Sequence, residues 1–131
     1  MSRISMKLTG IATLAASLLA TPALAADVKD ATVAFLMPDQ GSTRYEEHDY
    51  PGFKAEMSKL CPDCKVLYQN ANGNVSQQQQ QFNSVIAQGA KVIVLDPVDS
   101  AAAAGLVEIA QSQDVKVIAY DRPIPDKPAD Y

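Results

Sequence analysis

Four short apolar runs alternate with three stretches of helical periodicity along the chain. Thr32 to Met37, Lys65 to Tyr68, Val92 to Leu95 and Val115 to Tyr120 are each too short for a buried helix, and each predicts a strand. Between them, Phe53, Met57 and Leu60 recur at i, i+4 and i+7. Val75, Phe82, Val85 and Ile86 keep the same period, and Ala103, Leu106, Val107 and Ala110 mark a third helix. The order β-α-β-α-β-α-β predicts an α/β fold with a parallel sheet. The crossover rule leaves few arrangements, and we expect strand order 2-1-3-4 with helices on both faces, a partial doubly wound sheet.

Punctuation agrees with this division. Asn74 followed by Gln77 resembles a capping box, Asp99 suits the N-cap of the third helix, and Pro51 fits the first turn of the first. Gly89 is placed to stop the second helix. The run Gln77 to Gln81 has good helix formers flanked by apolar positions at helical spacing, so it predicts a plain solvated helix face.

The amino terminus indicates the compartment. Arg3 and Lys7 form a positive region, Leu8 to Leu19 is apolar, and Ala23-Leu24-Ala25 matches a small-x-small cleavage site, so residues 1–25 read as a signal peptide cleaved near Ala25-Ala26. The apolar run is shorter than the ~20 residues of a membrane span. A periplasmic or freely secreted product of about 105 residues follows, enough for one small domain. Its 15 acidic residues outnumber the basic ones, which fall from 11 to nine without Arg3 and Lys7, giving a net charge of about −6. Nucleic acid and anionic membranes are therefore poor partners, and 47% hydrophobic content argues against disorder.

Parallel strands deliver their carboxyl-terminal loops to one edge, where open α/β sheets bind ligands. The first loop carries Asp39, Gln40, Ser42, Thr43, Arg44 and Tyr45, hydrogen-bonding groups beside an aromatic face able to lie against a pyranose ring. On spacing alone, Arg44 and Tyr45 equally fit an exposed first-turn pair. After the fourth strand, Asp121-Arg122 offers carboxylate acceptors and a rigid donor fork to vicinal hydroxyls, which points to sugar, although adjacent charges on a loop also fit a surface ion pair. Asp96-Pro97 and Asp99 read as turn and cap residues that shape the rim. Cys61-Pro62-Asp63-Cys64 could serve redox exchange, half a zinc site or a tight disulfide. Export and the lack of completing ligands favour a structural Cys61–Cys64 disulfide, and no metal or other cofactor is expected.

A resemblance adds to this reading. Val33-Ala34-Phe35-Leu36-Met37-Pro38-Asp39, Arg44-Tyr45-Glu46, Tyr68 to Asn74, Gln88 to Leu95 and Val117-Ile118-Ala119-Tyr120-Asp121-Arg122 resemble the amino-terminal part of periplasmic sugar-binding proteins of the type I fold. These are the ribose, galactose and xylose receptors of ABC importers, and the xylose-binding members are the most similar. The resemblance spans Lys29 to Tyr131, and Asp-Arg is its most specific motif. It implies that Asp121 and Arg122 bind sugar hydroxyls and ring oxygen, with contacts from the first loop at Arg44 and Tyr45 and a place for Asp39 beside them. It further implies a monosaccharide ligand, a membrane permease as partner, a chemoreceptor as a further partner, and no catalysis. Such receptors have two domains closing on the sugar. Residues 26–131 are thus expected to be a partial first domain, with the second absent and the edge of the fourth strand uncovered. A receiver-like phosphoacceptor domain, using Asp39 and Asp96, is disfavoured by export. An exported hydrolase is disfavoured because no Gly-x-Ser-x-Gly elbow or placed histidine base occurs.

Overall fold

The computed structural model describes residues 30–131. The expected signal peptide and its cleavage site lie outside the described residues. Within them, strands β1 (Thr32–Met37), β2 (Lys65–Asn70), β3 (Ala90–Leu95) and β4 (Lys116–Ala119) alternate with helices α1 (Tyr50–Leu60), α2 (Val75–Ala87) and α3 (Ala103–Ser112). The sheet order is β2-β1-β3-β4 and every pairing is parallel, as the alternation predicts.

The period of two along β1 sorts its side chains into two cores. Ala34 and Leu36 face Ile93, Leu95 and Val117, and with Phe82 and Val85 of α2 and Leu106, Val107 and Ala110 of α3 they form the larger core. Phe35 and Met37 face the other way with Val94, packing on Tyr45, Tyr50, Phe53 and Tyr68. Phe35 stacks on Phe53 with ring centroids 4.7 Å apart, and Tyr50 on Tyr68 at 4.0 Å. Burial on both faces is why β1 reads as a continuous apolar run.

The boundaries follow identifiable groups. Asn74 accepts a hydrogen bond from the Gln77 amide at the start of α2, and Gly89, at φ +86°, occupies the left-handed position that ends it. Pro51 sits in the first turn of α1. Asp99 does cap, but one turn before α3: its Oδ1 accepts from the Ala102 amide, while Ala102 occupies the N-cap of the helix itself.

Four expectations need correction. The first loop is shorter than predicted, because the chain is already helical from Thr43 and continues through a π-helical turn at Tyr45–Asp49 into α1. The α1 stripe is only partly used: Leu60 is exposed and no residue of α1 is fully buried, since the helix meets the sheet through Tyr50 and Phe53 at its first turn. The glutamine run is not a plain solvated face. Gln78 is buried, and Gln77 and Gln81 donate to the Asn70 carbonyl at the end of β2. Finally, β4 does not present a bare edge. Tyr131 donates to the Val117 carbonyl and accepts from the Ala119 amide, the pattern of a parallel partner, while Asp130 Oδ2 accepts from the Val117 amide at 2.9 Å.

Candidate functional site

The carboxyl ends of β1, β3 and β4 converge on one cluster of charges. At the end of β4 the Arg122 amide donates to the Tyr120 carbonyl at 2.6 Å across Asp121, which lies at φ +59°. Such three-residue turns with positive φ are rare, and a short polar residue tolerates them better than most. The turn projects Asp121 and Arg122 toward the loop after β1.

There Asp121 meets two partners. One oxygen is ion-paired with the Arg44 guanidinium, and the other accepts from the Tyr45 hydroxyl at 3.0 Å. Arg44 is also held by Asp49, 3.3 Å from its Nε, and lies over the Tyr45 ring at 5.3 Å from the centroid, a cation–π distance. The bond to Arg44, the largest influence, and the bond to Tyr45 hold Asp121 below the ordinary carboxylate range. Arg44 is correspondingly raised by its bond to Asp121. Burial, followed by the bond to Asp121, pushes Tyr45 up.

Arg122 is anchored on its other side. One terminal nitrogen donates to the Pro97 carbonyl at 2.8 Å, and the other donates to the Tyr45 hydroxyl at 3.4 Å and lies 3.6 Å from Asp39. Its Nε is 3.5 Å from Asp96 Oδ1. Burial works against the Arg122 charge, but Asp96 and then Tyr45 outweigh it, and its pKa is raised. Asp96 is fully buried, and neither of its carboxylate oxygens has a hydrogen-bond partner among the described residues. Burial pushes it up from 3.8 to about 6 against the opposing pull of Arg122.

All five residues singled out from the sequence, Asp39, Arg44, Tyr45, Asp121 and Arg122, thus share one network. They do not share one exposure. The side chains of Arg44, Asp121, Arg122 and Asp39 are 45%, 30%, 35% and 33% exposed, whereas Tyr45 is 4% exposed. The expected aromatic platform is therefore corrected: the π-helical turn swings the Tyr45 ring onto the sheet, where it packs with Phe35, Met37 and Val94 beneath Arg44, and its hydroxyl bonds Asp121 and Arg122. Asp96 also departs from the rim role given to it, lying beneath Arg122 rather than on the surface. Its burial beneath Arg122 counts against the receiver-like reading, which needs an accessible carboxylate.

Sequence reasoning missed the residues that hold the loops. Asn70 donates to the Asp39 carbonyl at 3.0 Å and to Glu46 at 3.1 Å. Gln78 clamps the loop after β3, donating to the Asp96 carbonyl and accepting from the Val98 amide, both at 2.8 Å. A signal for Gln78 existed: it lies four residues before Phe82 on the apolar stripe of α2, where a polar side chain needs a buried partner. Away from the cluster, Cys61 and Cys64 form a disulfide between α1 and β2 with Cα atoms 5.3 Å apart. No group of three or more potential metal ligands, and no helix long and apolar enough to cross a membrane, occurs among the described residues.

A family model described as periplasmic binding protein domain matches residues 33–131. The D-xylose-binding periplasmic protein of Escherichia coli (strain K12) is 33% identical over 119 residues, 91% of this chain and 35% of that protein. The multiple sugar-binding periplasmic receptor ChvE of Rhizobium radiobacter is 27% identical over 117 residues, 89% of this chain and 32% of its own. Among solved structures, the Caulobacter myo-inositol binding protein bound to myo-inositol aligns with a TM-score of 0.67 at 30% identity, covering 73% of this chain and 31% of that one. The chain spans about a third of the length of these curated relatives.

Proposed function

Because the chain belongs to the periplasmic binding protein domain family, a family of binding and not catalytic proteins, we propose that its cluster of Arg44, Asp121, Arg122 and Asp39 is one wall of a monosaccharide site. The observation that carries this reading is the network itself. Residues 76 positions apart, Tyr45 and Asp121, are joined so that two guanidinium forks and two carboxylates stand side by side at the carboxyl edge of the sheet. Vicinal hydroxyls both donate and accept, and only such a mixed set of fixed acceptors and planar donors meets them in pairs. Tyr45 holds Asp121 and Arg122 in place rather than stacking on the ring. The receptor would act in the periplasm, handing sugar to an ABC permease, with a chemoreceptor as a further partner. A second domain would supply the opposite wall, since a one-sided site buries little of a ligand.

A pentose fits the likeness to the D-xylose-binding relative, and calorimetry against D-xylose, D-glucose and myo-inositol tests both class and preference. Arg122→Ala strips the donor fork from beside Asp121 and is expected to weaken binding by about 2–4 kcal/mol. Arg122→Lys should also bind poorly, because an ammonium cannot reproduce the planar fork. Unchanged affinity in both variants would place the sugar elsewhere.

A further inference from the structure

We propose that Asp96 and Gln78 are the positioning residues of this site, fixing the Arg122 guanidinium from beneath so that its outer edge is preset for ligand. This deepens the sugar-receptor reading and rests on it only for the identity of the ligand.

The case begins with an arrangement that packing alone does not justify. A carboxylate with no exposure and no well-formed hydrogen bond, acted on only weakly by the Tyr45 hydroxyl, is costly, and an apolar residue would fill the same position beneath the loop without that cost. What Asp96 has instead is a charge 3.5 Å from Arg122 Nε. Asp39 also faces Arg122 at 3.6 Å, but its side chain is one-third exposed, so solvent screens it more than it screens the buried Asp96. The dominant field on the inner edge of the guanidinium therefore comes from Asp96, with Pro97 accepting from the adjoining nitrogen.

Gln78 makes this arrangement rigid. Its amide spans the loop by bonding the Asp96 carbonyl and the Val98 amide, so α2 sets the height of both groups that hold Arg122, the Asp96 carboxylate and the Pro97 carbonyl. With its inner edge occupied, Arg122 loses little side-chain freedom when hydroxyls reach its outer edge, which is where preorganisation gains affinity. The groups facing Asp96 are Arg122 and Asp121 from the loop after β4, and Tyr45 and Arg44 from the segment after β1, with Asp39 reached across Arg122. Since burial raises Asp96 to about 6, its hold on Arg122 weakens as pH falls through that value.

The test follows the Arg122 Nε–H resonance of the full chain by nitrogen-15 NMR from pH 5 to 8, beside calorimetry with D-xylose, D-glucose and myo-inositol. In the wild type the resonance should move with a midpoint near 6, and the titration should vanish in Asp96→Asn. Affinity should fall in the wild type as pH drops through the same range. In Asp96→Asn it should be on the order of tenfold weaker at pH 7.5 and flat with pH. Gln78→Ala keeps the titrating carboxylate but should broaden the Arg122 signal and weaken binding. If the wild type binds none of the three sugars yet Arg122 titrates and Asp96→Asn abolishes it, the positioning role stands and the ligand assignment fails. An Asp96→Asn protein whose Arg122 resonance and sugar affinity both match the wild type overturns the proposal, as does a Gln78→Ala protein whose Arg122 signal and affinity are unchanged.

Discussion

One oxygen on Tyr45 does two things: it donates to Asp121 and accepts from Arg122. Tyr45→Phe keeps the buried ring and deletes only those bonds, so the predicted effect is selective. Sugar affinity should fall by on the order of tenfold, about 1–1.5 kcal/mol, while urea denaturation shows a change below about 1 kcal/mol because Asp121 keeps Arg44. A large stability loss with intact affinity would make Tyr45 a core residue and nothing more. Asp121 adds a backbone constraint to its charge, since it occupies the left-handed region at φ +59°. A β-branched replacement there would be strained as well as uncharged.

At the scale of elements, α2 links the core to the site. Its apolar stripe packs on the sheet through Phe82 and Val85, and its first turns send Gln77, Gln78 and Gln81 back to the ends of β2 and β3. Gln78→Leu should fill the same space but leave the Asp96 carbonyl and Val98 amide without their partner, a cost of about 1–3 kcal/mol readable as a shifted urea midpoint. The link between α1 and β2 carries the Cys61–Cys64 bridge. Its loop is short, so reduction should cost less than the ~2–4 kcal/mol usual for disulfides. Mass spectrometry of periplasmic material should find the bridge formed, and two free thiols would refute that expectation. Asp130 closes the edge of β4, and Asp130→Ala should speed hydrogen exchange at the Val117 amide while β1 stays protected.

For the whole molecule, the carboxylates pull the pH dependence of stability in opposite directions. Asp121, held down by Arg44, and Asp130, held down by the Val117 amide, contribute stability that is present above ~4 and lost as pH falls through their depressed values. Asp96 is raised from 3.8 to about 6 by burial, so the folded state holds its proton where the unfolded chain does not, and stability falls as pH rises through that window. Between pH 5 and 7 the Asp96 contribution should decline by about 1 kcal/mol, and Asp96→Asn should flatten the slope. Urea midpoints at three pH values would check this, and equal slopes in both proteins would contradict it. On the second face of the sheet, Phe35, Phe53, Val94, Tyr120, Asp49 and Glu56 line an open depression of about 340 Å³.

Local pattern was enough for the strands, their order and the helices, because alternation of periods two and 3.6 with capping residues at the joins leaves few ways to bury both faces of a sheet. The position of Asp121-Arg122 was legible for the same reason: parallel strands must end at one edge, so a charged pair after an apolar run is placed there by topology, while the role in sugar binding expected of it came from the family resemblance. The π-helical turn, the inward Tyr45 ring, the partners that Gln78 clamps and the buried Asp96 were not legible. Each depends on which side chain from a distant segment occupies the space beneath a loop, and burial, not residue type, decides whether a tyrosine offers its face or its hydroxyl and whether an aspartate is a turn former or a charge under an arginine. Sequence spacing sets where chain segments meet, whereas desolvation and hydrogen-bond partners exist only once they have met.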